Sequence, residues 1–511
     1  MSLLEKIPTK IWLGFFIAIA LLQVWLVKDA VMGDAFIHFV FARGITEGNW
    51  FFYNGEFSAG STSPLWSILL APLWRSFGDG IIVGVKIFAS VFVAAAIPLC
   101  YLVAQKVADK RNLSLAASAL LAGSYVLSFW AAKGMETPLY VCLVVGSFLI
   151  YLKILEQKDS LRLEIVLGFL LGLTILARPE GWFLAAFLGI PLLIKKGWKV
   201  IFSVGLPAAI IFSPYYWWLW HNTGQIFPSS AARILRAAQW SKKFGVFYFT
   251  PEILKILFTK LLPATPFFAF FWWKEKGKDW WKLAPIAAWL TFHAIFFTII
   301  FPTTEGYRYI LSCLPFFYLI ALLGVWKIEV VKWRNLALVF VLLGSFAIST
   351  QQLLERKHSV ETCEAPHIDS VRRATGLWLR DNTEENATVA MKEIDQSAYY
   401  SGRKMLSMDG TLNSAAIPFV ESGKQLEFIQ QEKPNYLVVE EDMYVLYPSW
   451  QKSNLIPLIN PAMGEGEVEE LGGVKFTLEK KFPLGGKEDC SNFQDNYSWY
   501  IFRVEFQRNP S

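Results

Sequence analysis

The chain reads as a succession of apolar runs separated by short charged loops, and the pattern ends near residue 351, where polar and charged residues take over. Runs long enough, at about 1.5 Å per residue, to cover roughly 30 Å of hydrocarbon lie near 11–27, 80–105, 112–131, 137–153, 163–177, 180–194, 199–220, 253–273, 282–301, 308–326 and 334–350. They predict about eleven transmembrane helices, several short or interrupted by proline. The first run, Ile11 to Val27, lacks a small-residue cleavage pattern after it and reads as a signal anchor. Pro64 to Phe77 is apolar but only about 14 residues long, with Arg75 near its end, and is predicted to lie at the membrane interface.

The charges in the loops orient these helices. Lys6/Lys10, Lys106/Lys110/Arg111, Lys153/Lys158/Arg162, Lys195/Lys196/Lys199, Lys274/Lys276/Lys278/Lys282 and Lys327/Lys332/Arg334 all fall on one side if the N-terminus is cytoplasmic. The expectation is a multi-pass protein of the inner or plasma membrane. Its other face then receives 28–63, 133–137, 178–180, 221–250, 302–308 and everything after Thr350. Counting Pro64–Phe77 as a span would invert the later loops and break the charge rule.

Composition strengthens this picture. Hydrophobic residues make up 54% and charged residues 18% of the 511, too apolar for an ordinary soluble protein. Many of the 22 tryptophans sit near helix ends, as in Trp217-Trp218 and Trp272-Trp273, where amphipathic rings favour the interface. The net charge of +6 comes mostly from the short loops, so it speaks for orientation and not for nucleic-acid binding.

Beyond 351, Val/Ile runs alternate with turn residues. Helices are predicted over 367–381 and 423–431 and strands over 388–392, 436–440 and 497–506, which makes 351–511 a small α/β domain outside the membrane, next to a transmembrane region of 1–350. Of five cysteines, Cys100, Cys142 and Cys313 lie in apolar runs; Cys363 and Cys490 lie in the polar region, where a bridge would join the start of the domain to its end. None has metal-ligand spacing.

Ionisable residues cluster at the outer ends of the predicted spans. Asp34 and His38 share a face if 34–47 is a helix, either as an acid/base or substrate-binding pair, or as a first-turn acid with a solvent-facing imidazole. Arg43 has the same two readings. Ser63-Pro64 and Thr137-Pro138 look like helix starts. Glu136, Arg178 and Glu180 are costly at a membrane edge unless they meet water, each other or a ligand. Arg308 stands at the mouth of a span, where a guanidinium either anchors at the interface or holds a lipid phosphate bidentately. The basic, aromatic segment 233–249 is read as a connector or a mobile lid.

Taken in order, Gly33-Asp34-Ala35-Phe36-Ile37, Tyr53-Asn54-Gly55-Glu56, Gly60-Ser61-Thr62-Ser63-Pro64-Leu65-Trp66, Gly134-Met135-Glu136-Thr137-Pro138, Ala177-Arg178-Pro179-Glu180-Gly181 and Tyr307-Arg308-Tyr309 resemble the motifs of bacterial GT-C glycosyltransferases. The branch they resemble most is that of the mycobacterial cell-wall arabinofuranosyltransferase, with protein mannosyltransferases more distant. Trp378-Leu379-Arg380-Asp381-Asn382-Thr383 and Tyr399-Tyr400-Ser401-Gly402-Arg403 resemble that branch's outer domain.

The resemblance implies a membrane enzyme that moves a sugar from a polyprenyl phosphate, usually with inversion, to an extracytoplasmic glycan, lipid or protein. Asp34 matches the family's first-loop acid and would be the base. His38, Arg43, Glu136, Arg178, Glu180, Tyr307 and Arg308 would bind substrate. Where the family often has two adjacent acids this chain has Gly33-Asp34, and Val40 stands where the family often has arginine. No carboxylate pair for a divalent metal is evident, so no cofactor is assigned and metal dependence stays open.

The chemistry fits these residues independently. A glycosidase needs a second carboxyl to protonate a poor leaving group, whereas a lipid phosphate leaves well with cationic support and one base. A polytopic transporter or flippase is the rival reading, but transporters tend to carry repeats with broken midplane helices.

Overall fold

The computed structural model describes residues 7–157, 160–228, 254–275, 280–297, 308–410, 412, 414–441, 450–483 and 498–507. Each of the eleven apolar runs contains helix in its described part. By length and composition, four helical runs among the described residues can cross a membrane: Thr9–Leu26, Pro64–Ala108, Thr137–Glu156 and Val331–Asn382. Arg111–Gly123 and Tyr125–Ala132, bent by 44°, make a fifth if taken as one span. The count of eleven is not reached on this measure because Leu161–Ala177 and Gly181–Lys196 are unbroken but only 17 and 16 residues long, and other runs contain breaks that hydropathy does not register. The run near 253–273 is a π-turn, Ile256–Lys260, then the helix Thr265–Lys274, and the run near 308–326 begins with a 3-10 turn, Leu311–Cys313.

Large apolar side chains such as Ile87, Ile194, Phe202, Trp217, Trp333 and Leu343 are exposed around the helices. A surface of this kind is stable only against lipid or a partner. Inside, several of the polar exceptions are bonded. Gln23 Nε2 donates to the Gly123 carbonyl (3.2 Å) and Ser128 Oγ to the Ala20 carbonyl (3.0 Å). At the bend the Tyr125 amide donates to Ser349 Oγ at 2.8 Å, so the free N–H of a new helix start is satisfied.

Between the first two long helices lie Gly33–Thr46, a two-strand ladder of β1 (Phe52–Tyr53) and β2 (Glu56–Phe57), and Pro64–Phe77. Gly33–Thr46 buries Ala35, Phe36, His38 and Phe39 and packs chiefly on Pro64–Phe77.

The C-terminal region contains β3 (Thr388–Met391), β4 (Lys404–Ser407), β5 (Tyr436–Glu440), β6 (Val468–Leu471), β7 (Val474–Phe482) and β8 (Trp499–Phe506), in the sheet order β4-β3-β5-β8-β7-β6. β3 runs parallel to β4 and β5; the other pairs are antiparallel. The strands predicted at 388–392, 436–440 and 497–506 are present, and the helix near 423–431 is Gln425–Glu432. The helix predicted at 367–381 is the end of one helical run that leaves the apolar region and continues to Asn382.

This domain is packed on the first loop. Asn54 Nδ2 donates to the carbonyls of Ala398 (2.9 Å) and Arg403 (2.8 Å), Tyr53 OH donates to the Ile394 carbonyl, and Ser58 Oγ to that of Leu412 (3.2 Å). The Phe36 ring meets Tyr399 edge-on at 5.1 Å. Gly33 allows the closest approach: a Cβ there would lie 1.8 Å from Asp395 Oδ2.

Candidate active site

Four segments bring the charged residues together. Asp34 is in the first turn of Gly33–Thr46, a favourable place for an acid at a helix N-terminus. Glu136 immediately precedes Thr137–Glu156, whose start is fixed by Pro138. Arg178 is extended, as a residue before proline prefers, and ends Leu161–Ala177. Gly181 then reverses the chain where a Cβ would meet the Ile175 amide nitrogen at 2.6 Å. Arg308 lies just ahead of the 3-10 turn that opens Leu314–Trp326.

The result is a chain of alternating charge. Arg308 Nη1 donates to Asp34 Oδ2 at 2.6 Å and Nη2 to Glu136 Oε1 at 3.2 Å. Arg178 Nη1 donates to the same Glu136 oxygen at 2.5 Å, and its Nη2 to Glu180 Oε1 at 3.0 Å. Four of the five side chains are 1–10% exposed, whereas that of Asp34 is 44% exposed. The buried chain therefore opens to its surroundings at the Asp34 carboxylate.

Burial works against a charge on Glu136, but Arg308 and Arg178 outweigh it and hold its carboxyl at about 2. Burial also dominates at His38 and lowers it, so the imidazole is neutral at pH 7. His38 Nδ1 lies 3.0 Å from Ser67 Oγ, and Nε2 lies 3.9 Å from Glu136 Oε2. The guanidiniums also lie over rings: Arg178 is 4.7 Å from the Tyr309 centroid, and Arg308 is 5.7 Å from Trp130.

Six of the predicted residues thus converge: Asp34, His38, Glu136, Arg178, Glu180 and Arg308. Arg43 does not join them. It donates to Asn54 Oδ1 at 2.5 Å and lies over Trp74 at 5.7 Å, bracing the loop that carries β1 and β2. His38 is 4% exposed and not turned to water. Tyr307 and the segment 233–249 lie outside the described residues. Among the described residues no three His, Cys, Asp or Glu side chains converge as a metal ion would need.

Sequence reasoning named Tyr309 only as part of a motif and missed Ser67 and Trp130, as well as His293, buried with Nε2 3.4 Å from Ser312 Oγ. A lone histidine inside an apolar run was the available signal for His293. A cavity of ≈ 200 Å³ begins at Ile310 and Leu311, two residues from Arg308, and is walled largely by apolar side chains such as Leu257, Phe268 and Phe317.

Comparison with known proteins adds the fold. A family described as a domain of unknown function (DUF8728) matches residues 364–499. No curated protein matches the chain. Among solved structures, the chain is similar to ArnT from Cupriavidus metallidurans bound to undecaprenyl phosphate, with a TM-score of 0.60 and 12% identity over 97% of this chain and 98% of that one. It is also similar to the archaeal oligosaccharyltransferase AglB from Archaeoglobus fulgidus in complex with an inhibitory peptide and a dolichol-phosphate, with a TM-score of 0.56 and 12% identity over 89% and 72%. Both neighbours are GT-C glycosyltransferases, and the fold of this chain is theirs.

Proposed function

We propose that the protein is an integral-membrane glycosyltransferase that passes a sugar from a polyprenyl-phosphate donor to an acceptor hydroxyl, with Asp34 as base. The convergence of Asp34 with Arg308, Glu136, Arg178 and Glu180 carries this reading. The solved neighbours bind undecaprenyl phosphate and dolichol-phosphate, which supports a polyprenyl carrier. The apolar cavity beside Arg308 suits the start of such a tail.

In the transfer, the acceptor oxygen bonds to the anomeric carbon as its proton passes to Asp34. The bond from that carbon to the phosphate oxygen breaks, and the polyprenyl phosphate leaves with the electron pair. Attack opposite the leaving group inverts the anomeric centre. Arg308 is placed to stabilise the departing phosphate. Glu136 orients both guanidiniums, and Arg178, Glu180 and His38 flank the glycosyl group.

The ordered motifs support the arabinofuranosyltransferase branch, so a pentose donor and a cell-envelope glycan are the first pair to test. The loop charges support a cytoplasmic N-terminus and an outer C-terminal domain, and we keep 1–350 and 351–511 as the two functional parts. The test is incubation of purified protein with a panel of labelled polyprenyl-phosphate sugars and envelope acceptors, followed by product analysis. Transfer from one donor, lost in Asp34→Asn, is the expected result; no transfer from any polyprenyl-phosphate sugar overturns the reading.

A further inference from the structure

Ser61, Thr137 and Tyr140 are 1–2% exposed, and their hydroxyls have no hydrogen-bond partner among the described residues. Leaving such a group unpaired is costly, and native structures rarely do so without a reason. Two of them stand beside the buried charges. Thr137 follows Glu136, and Tyr140 is one helical turn further on the same face, its ring centroid 5.8 Å from the Arg178 guanidinium carbon.

The segment carrying Ser61 is tied to both neighbouring turns. Ser63 Oγ donates to the Ala177 carbonyl at 2.6 Å, Trp66 Nε1 to that of Gly134 at 3.2 Å, and the Ser61 carbonyl itself accepts from Tyr215 OH at 2.9 Å. Thr137 and Tyr140 therefore stand at a guanidinium–carboxylate pair, and the segment of Ser61 is fastened to the residues just before Arg178 and Glu136.

We infer that Ser61, Thr137 and Tyr140 form the subsite that binds the hydroxyls of the donor's glycosyl group. The inference rests on the transferase reading above and deepens it. A polyol matches hydroxyls that have both donor and acceptor capacity. The donor sugar fits better than the acceptor, because the acceptor enters at the exposed Asp34 carboxylate, whereas these hydroxyls lie on the buried Glu136–Arg178 side. A sugar tethered to a phosphate at Arg308 is held next to them.

The test uses the full-length protein and the polyprenyl-phosphate sugar that the wild type turns over, with its monodeoxy analogues and the sugar-free polyprenyl phosphate. Ser61→Ala, Thr137→Val and Tyr140→Phe are each expected to lower kcat/KM roughly 3- to 10-fold while leaving the Kd for sugar-free polyprenyl phosphate unchanged. For each variant, one deoxy donor erases the loss. The variants also keep or raise Tm, because each removes a buried unpaired hydroxyl. Equal losses on every donor, a matching loss in sugar-free lipid binding, or no loss at all overturns the subsite, the last pointing to ordered water alone. Failure of the wild type to use any polyprenyl-phosphate sugar is a separate result and removes the transferase reading itself.

Discussion

At the scale of residues, the chemistry turns on who shares Glu136. One of its oxygens accepts from both Arg178 and Arg308, so a single carboxylate fixes the spacing of two guanidiniums. Glu136→Gln is expected to destabilise the fold by about 3–5 kcal/mol, the cost of breaking a buried ion pair, readable as a lower Tm. An unchanged Tm would show the pair to be dispensable. Asp34→Asn is different, since Asp34 is half exposed and, on the proposed mechanism, its loss removes a base and not a support. It should reduce transfer about 10²–10⁴-fold with donor binding retained in a direct binding assay. Arg308→Ala should weaken donor binding as well as turnover, because the phosphate is anionic before and after transfer. These residues were legible in sequence because charges at the ends of apolar runs are rare and expensive. Ser67 and Trp130 were not, because serine and aromatic residues at such places are ordinary and only their contacts single them out.

At the scale of elements, the contact between Gly33 and Asp395 couples the helix of Asp34 to the C-terminal domain. Asp395 is buried, accepts from Arg372 Nη1 at 2.9 Å, and has Glu393 nearby. Burial raises its carboxyl to about 7; Arg372 opposes this, while Glu393 and Asp34 add to it. An acid whose pKa is raised on folding contributes stability below its unfolded value, here 3.8, and loses it as pH rises through about 7. Between pH 4 and 7, therefore, this group should lower Tm as pH rises, and Asp395→Asn should flatten that part of the curve. Parallel Tm–pH curves for the two proteins would count against it.

Gly33→Ala should separate the two elements sterically, and hydrogen exchange in 33–46 and 395–401 should rise together. No pattern in the sequence links positions more than 350 residues apart. Some of the sheet, by contrast, was readable and missed: Val474, Phe476 and Leu478 alternate inward along β7, the period of a strand, but the charged residues between and after them masked it. The short β4, with four residues, had no such pattern to offer.

At the scale of the molecule, several ties hold the C-terminal domain to the helices. The run Val331–Asn382 passes without a loop from one to the other, and Lys133 Nζ pairs with Glu364 Oε1 at 2.9 Å. Cys363 is in a disulfide, while Cys100, Cys142 and Cys313 are free thiols. Cys490 lies outside the described residues. Non-reducing peptide mapping is expected to recover Cys363 linked to Cys490, and reduction should lower stability by about 2–5 kcal/mol; a free Cys490 thiol would refute the pairing. Orientation has its own measurement. Reporters fused after Lys195 and after Ser422 should fall on opposite sides of the membrane, and finding both on one side would break the eleven-span arrangement read from the loop charges.

Under the transfer proposed above, the pairing of Arg308 with Asp34 would have the following consequence for the cycle as a whole. A glycosyl phosphodiester enters with one negative charge and departs as a monoester that can carry two, while Asp34 changes from carboxylate to neutral acid by taking the acceptor's proton. The two changes cancel, so the total charge of the pocket is constant across the chemical step. Arg308 loses its hold on Asp34 at the moment the phosphate gains charge, and its guanidinium passes from one anion to the other. Resetting then requires only that the proton escape through the exposed face of Asp34, after which the restored carboxylate competes for Arg308 and helps to expel the spent lipid.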